Sequence, residues 1–138
     1  DLLAQLFQYA DLLKINHHEL AESTADWGTF DHDISRAQAL IHQYQIQGVI
    51  VTRGADGAIF IPSEGEPLEH PGYPVTVEDT IGAGDSFLAA FLSLWVLKAP
   101  IQTCLDFACA LGAMVASSQG ANPYISIADI QAFIAGQR

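Results

Sequence analysis

The run Asp79-Thr80-Ile81-Gly82-Ala83-Gly84-Asp85 is where this sequence could do chemistry. Gly82 and Gly84 allow tight backbone turns and the close approach of a ligand. From Ser86 onward the residues are apolar and helix-forming. The loop therefore delivers several unpaired N–H groups and the positive end of a helix dipole to one point. That point suits an anion, above all a phosphoryl group gaining charge during transfer. Asp85 falls in the first helical turn, from which its carboxylate could receive the proton of an attacking hydroxyl. Two glycines and an acid also serve as a plain helix cap, and composition alone leaves both readings open. No Gly-Lys-Ser/Thr follows, so this is not a P-loop, and the spacing is not that of a dinucleotide-binding turn.

The elements that must position this loop follow from periodicity. Leu2, Leu3, Leu6, Phe7 and Ala10 recur at helix spacing. Leu12-Leu13-Lys14-Ile15 predicts a strand that stops at Asn16, followed by a short helix over 17–23 and a loop over 25–32. Asp31 or Asp33 is the expected cap of a helix reaching Tyr44, with Ile34, Ala37, Leu40 and Ile41 inward. Gly48-Val49-Ile50-Val51-Thr52 is too oily for a surface strand. Asp56-Gly57 predicts a tight turn, and Ala58-Ile59-Phe60-Ile61 the returning arm of a hairpin. Residues 62–74 read as loop, and Val75-Thr76-Val77 as a brief extended segment. Helices are expected over 82–98, 101–119 and 126–135, the last two joined by Gly120-Ala121-Asn122-Pro123. This order predicts a three-layer α/β arrangement with too few strands for a comfortable two-sided sheet. A single 1–138 portion of a larger domain, with a truncated central sheet, is the expectation.

Bulk properties narrow the function classes. With 138 residues the chain suits one domain. A formal net charge of -11 opposes nucleic-acid partners, whose phosphates need clustered cations. It does not oppose a nucleotide, which backbone N–H groups and Mg²⁺ can hold. The longest oily stretch, 87–96, falls short of a membrane span, and no signal-peptide pattern opens the chain. Cys104 and Cys109 are five apart, a rotation of roughly 500° on a helix, so they face differently and no disulfide joins them. Reduced thiols suit a cytoplasmic protein. His17-His18-Glu19 lacks zinc-ligand spacing, and the five histidines are expected to be exposed.

The segment Asp79-Thr80-Ile81-Gly82-Ala83-Gly84-Asp85-Ser86-Phe87-Leu88-Ala89-Ala90-Phe91 resembles the second signature of the ribokinase-like carbohydrate kinases, also called the PfkB family. Three further elements occur in the family's order. Asn16-His17-His18-Glu19 resembles its Asn-x-x-Glu motif, and Thr52-Arg53-Gly54-Ala55-Asp56-Gly57 its Thr-x-Gly-x-x-Gly turn. Residues 108–121 resemble its closing nucleotide-side helix.

The resemblance implies roles residue by residue. Asp85 would be the base that deprotonates a sugar hydroxyl, with the backbone N–H groups of Gly82, Ala83, Gly84 and Asp85 as the anion hole. Asn16 and Glu19 would organise Mg²⁺ and the phosphates; without the resemblance they read as a polar strand end and a surface helix. Thr52 and Gly54 would approach the phosphates and ribose of ATP, and Gly57 would make the turn. Arg53 is the cation nearest these loops and is either a phosphate contact or an exposed arginine. Asp79 and Thr80 would join a monovalent-cation site, K⁺ being the candidate, or form a polar turn. Cys109 stands where the family often has Asn beside the adenine; it would pack on the base without the amide's hydrogen bond, or serve as a small buried residue.

Family members are roughly twice this long, so the resemblance covers about their second half. The overall run looks most like fructokinases, which implies transfer of the ATP γ-phosphoryl group to fructose. The alternatives are a catalytically incomplete nucleotide-binding module and a kinase for another sugar or a nucleoside. Truncation would leave a sheet edge and an apolar face, with self-association, or disorder near Asp1 and over 64–73, as the consequence.

Overall fold

The computed structural model describes residues 1–118 and 124–137. The chain divides into two units, Asp1–Glu69 and His70–Arg138. In the first unit the β-branched run Gly48–Thr52 forms β2, and Val49, Ile50 and Val51 are fully buried, as a strand covered on both faces requires. β1 (Leu12–Asn16) lies parallel to β2, placing Asn16 beside Thr52. β3 (Ala58–Pro62) lies antiparallel, placing Thr52 beside Ala58. The sheet order is β1-β2-β3-β4, where β4 (Leu68–His70) is a short edge strand whose last residue opens the second unit.

A parallel pair needs a crossover, and helices provide it. After α1 (Leu2–Phe7) and β1 come α2 (His17–Ser23), a single 3-10 turn over Ala25–Trp27, and α3 (Asp33–Tyr44). Ile15, Val49, Val51, Ile59 and Ile61 alternate along their strands and so share one face; they cluster with Leu20, Ala37, Leu40 and Ile41 from α2 and α3. Gly48 is required by its neighbour, because a Cβ there would come within 2.6 Å of Phe60 Cζ.

The second unit holds α4 (Ala83–Trp95), α5 (Ile101–Ala116) and α6 (Ile127–Gly136). α4 and α5 pack closely, burying Phe87, Ala90 and Phe91 on one and Cys104, Leu105 and Ala108 on the other. Their approach is tight where small residues meet: a Cβ on Gly112 would lie 3.5 Å from Ala83 O and 3.7 Å from Phe87 Cβ.

Several expectations need correction. The 62–74 segment contains β4, so part of the stretch expected to be disordered is a paired strand. Val75-Thr76-Val77 joins no strand; instead the N–H groups of Glu78 and Asp79 both donate to Ala116 O, at 2.8 and 3.1 Å. α3 is capped by neither Asp31 nor Asp33 but by His32, whose Nδ1 accepts from the N–H of Ser35 at 3.2 Å. The turn expected at Asp56-Gly57 is wider than that pair, since a 3-10 turn over Gly54–Asp56, with Gly57 as its C-cap, fills the hairpin link. His70 is buried, against the expectation of exposed histidines. Neither cysteine forms a disulfide, as expected, and both are buried. The helix expected over 101–119 ends earlier, at Ala116 with Ser117 as its C-cap, and the 120–123 connection lies outside the described residues.

Candidate active site

The first unit gathers one group of candidate residues at the carboxyl ends of its parallel strands, where open α/β sheets place their ligands. Register puts Asn16 and Thr52 side by side, and His17 Nδ1 lies 3.4 Å from Thr52 O, tying the start of α2 to the end of β2. Asn16 and Glu19 form a reciprocal capping box. Asn16 Oδ1 accepts from the Glu19 N–H at 2.8 Å, and Glu19 Oε2 accepts from the Asn16 N–H at 3.0 Å. Glu19 nonetheless stays exposed.

The turn after β2 closes on itself: Arg53 N–H donates to Gly57 O at 2.8 Å and Gly57 N–H to Gly54 O at 3.2 Å. Gly54 and Gly57 take positive φ of 59° and 82°, which explains glycine at both places. Arg53 is already engaged, because its Nη2 donates to Glu69 Oε1 at 2.7 Å and to Asp56 O at 3.0 Å. Its Nε is buried and, among the described residues, is the side-chain donor that lacks a partner. A phosphate reaching Arg53 must therefore compete with the Glu69 carboxylate.

The second unit carries the other group. Asp79 Oδ1 accepts from the Ile81 N–H at 2.9 Å, an Asx turn that sends the chain into α4. Gly82, with φ of 81°, is the N-cap of α4, and no side chain caps this helix. Ala83 N–H donates to Thr80 O at 3.2 Å, so that donor is spent in the turn. The next two, Gly84 and Asp85, stand in the exposed first turn of a helix of 13 residues. Asp85 combines an exposed carboxylate with an uncapped helix start. Cys109 lies buried on α5, one turn before Gly112, where α5 meets α4.

Sequence reasoning missed two members of these neighbourhoods. Glu69 carried no motif and becomes visible only through its ion pair with Arg53. His70 sits with its Nδ1 2.9 Å from the Gly72 N–H and its Nε2 3.4 Å from Asp106 Oδ1. Burial pushes its pKa down, an effect the Asp106 carboxylate opposes.

The model of the pfkB family carbohydrate kinases matches residues 1–127. The bifunctional protein HldE of Bradyrhizobium sp. is 30% identical over 116 residues, covering 83% of this chain and 24% of the relative. Ribokinase of Arabidopsis thaliana is 35% identical over 121 residues, covering 86% of this chain and 32% of the relative. Its structure, solved with ribose and ATP, superposes with a TM-score of 0.84 at 27% identity, over 94% of this chain and 42% of that one. Phosphofructokinase-2 of Escherichia coli, solved with potassium, gives a TM-score of 0.82 at 26% identity over 98% of this chain and 44% of that one. The chain thus spans well under half the length of the proteins it matches. Its fold is the ribokinase-like α/β fold with a four-stranded partial sheet, and the chain belongs to the pfkB family of carbohydrate kinases.

Proposed function

We propose that this chain supplies the nucleotide side and the phosphoryl-transfer loop of an ATP-dependent sugar kinase. One observation carries the reading: α4 begins at Gly82 with no side-chain cap and holds an exposed Asp85 in its first turn, in a chain of this family. Asp85 would take the proton of the attacking hydroxyl, while the N–H groups of Gly84 and Asp85 stabilise the transferring group. Ala83 and Gly82 shape that loop, and the Ala83 donor would join the anion hole only by leaving Thr80 O.

ATP would lie against Thr52, Gly54 and Gly57, with Arg53 exchanging Glu69 for a phosphate and Cys109 packing near the base. Magnesium fits the donors present, because Glu19 offers a hard, exposed carboxylate and Asn16 an amide oxygen beside it. No three such metal-ligating side chains converge among the described residues, which suits an ion that keeps its waters and rides on phosphates. When bound, it neutralises charge on the phosphoryl oxygens. A potassium ion would fall to Asp79 and Thr80, in keeping with the potassium complex of the phosphofructokinase-2 relative. Two cysteines outside any disulfide and the use of ATP favour the cytoplasm. No described helix is long and apolar enough to cross a membrane.

Fructose, phosphorylated at its hydroxymethyl group, is the substrate we propose, on the fructokinase-like course of 10–16 and 75–80. The relatives span ribokinase and phosphofructokinase-2, so a panel of fructose, ribose, fructose 6-phosphate and a nucleoside separates the choices. A second reading, a nucleotide-binding module inactive by itself, is favoured by the short coverage of every relative above. A coupled ADP-release assay decides between them on this chain and on a longer chain that includes it. Activity in the longer chain alone supports the module reading for these residues, and activity in neither overturns the kinase reading. Self-association would use the edge strand β1 and the exposed Leu2, Leu3 and Leu6 of α1; light scattering that finds only monomer would exclude it.

A further inference from the structure

The segment 70–79 contains no secondary structure after β4, yet it leads directly into the 79–85 loop. Its two ends are fastened to α5. At the far end, the N–H groups of Glu78 and Asp79 share Ala116 O. At the near end, His70 is 6% exposed, and its Nδ1 accepts the Gly72 N–H at 2.9 Å. A neutral imidazole whose Nδ1 accepts carries its proton on Nε2, and that nitrogen lies 3.4 Å from Asp106 Oδ1. Asp106 and Ala116 are separated by about 15 Å of helix, a gap that eight or nine extended residues bridge with slack. The strap therefore needs its fastenings to hold a set course. Tyr73 adds a third contact, its ring centroid 4.7 Å from that of His70 and 5.4 Å from that of Phe133 on α6.

We propose that His70 is a positioning residue. Its neutral imidazole holds the Gly72 N–H while sitting against Asp106 of α5, which orders the start of the 70–79 strap and so sets the 82–85 loop, and its protonation loosens that start. The inference rests on the reading of that loop as the phosphoryl-transfer site only for what the loop does, not for how it is held. A second proton on the ring would sit on Nδ1 and face the Gly72 N–H, donor against donor. The charged group facing the ring from α5 is Asp106, itself held by Gln102 Nε2 at 3.1 Å. The strap and α6 present the Tyr73 and Phe133 rings, Asp129 of α6 is exposed and bonded to Ser126, and the preceding Glu69 is paired with Arg53. Asp106 keeps a protonated ring nearby but cannot restore the Gly72 bond.

Amide hydrogen exchange and nitrogen-15 NMR on the full chain test this. The expected result is an Nε2–H tautomer at neutral pH and a His70 titration midpoint below 6.5. The Gly72 protection factor should fall about fivefold with that same midpoint, the fold-change one hydrogen bond commands. The Gly82, Gly84 and Asp85 amide shifts should follow the same curve. His70→Asn restores an acceptor two residues before the Gly72 N–H, as in an Asx turn, and should keep the loop amides constant across pH 5 to about 8. His70→Leu should show the loosened spectrum at every pH; should it not fold, His70→Asn still decides. Loop amides indifferent to the His70 titration, or titrating equally in His70→Asn, overturn the proposal. Should the amides respond while a longer, ATP-binding chain shows no transfer to any sugar, the strap stands and the kinase reading falls.

Discussion

Two helix starts in this molecule look alike in sequence and differ in what they leave undone. α2 begins at Asn16 with a complete capping box, in which Asn16 and Glu19 satisfy each other's backbone N–H groups. α4 begins at Gly82 with no side-chain hydrogen bond capping its first turn, and its acidic residue, Asp85, is exposed. A capped start of 7 residues spends its donors on its own stability. An uncapped start on a helix of 13 residues keeps N–H groups and a dipole end available to an anion. On the proposed function, the transferring phosphoryl group would fall to α4, and the Asn16 and Glu19 side chains would keep an outer role.

The largest expected effect comes from the open start. Asp85→Asn in a sugar-phosphorylating chain should lower kcat by about 10²–10⁴-fold, the range for a general base, with ATP affinity largely kept. Near-normal turnover would remove Asp85 from the chemistry. Next, Gly82→Ala places a side chain at φ of 81°, which costs about 1–2 kcal/mol of local strain. Turnover should drop with it, measured beside thermal unfolding to separate lost loop geometry from lost fold.

At the closed start, Asn16→Ala should cost about 1 kcal/mol in denaturant unfolding, the ordinary worth of a cap. Asn16→Asp keeps the cap but adds a negative charge, so weaker ATP binding with unchanged stability would show that phosphates do come near it. Acid is the fourth lever. His70 is held below its ordinary pKa of 6.5 by burial, so the unfolded chain takes up a proton before the folded one does. The stability it contributes is whole above that value and is lost as pH falls from it toward the folded pKa. His70→Asn should flatten this part of the stability curve. The smallest effect belongs to Glu69→Gln: an exposed pair is worth about 0–1 kcal/mol, so stability should barely move, while a released Arg53 should tighten ATP binding.

Much of this was legible in residue types. The run from Leu12 through Ser23 reads correctly because an apolar strand ends at a capping residue, and β2 reads correctly because a β-branched run is its own signal. The capping box went unread, although Asn followed three residues later by Glu is a helix-start signature. Its closure explains both residues locally without reference to a metal. β4 was not legible: Leu68 and Glu69 are exposed, Pro67 precedes them, and the strand exists through its neighbour rather than its own pattern. Val75 and Val77 misled in the opposite direction, because strand propensity without a pairing partner makes no strand. His32 as a cap and His70 as a buried clasp were hidden for one reason, namely that a ring nitrogen becomes an acceptor only once the fold presents a donor to it.

The contrast between the two starts is tested most directly by nitrogen-15 NMR of the backbone amides as Mg·ATP is added. The account predicts the largest shifts at Gly84 and Asp85, and smaller ones at Thr52 and Gly54. The Glu19 amide, held by Asn16, should change least. ATP binding that moves the Asn16 and Glu19 amides while leaving those of Gly84 and Asp85 in place would contradict it.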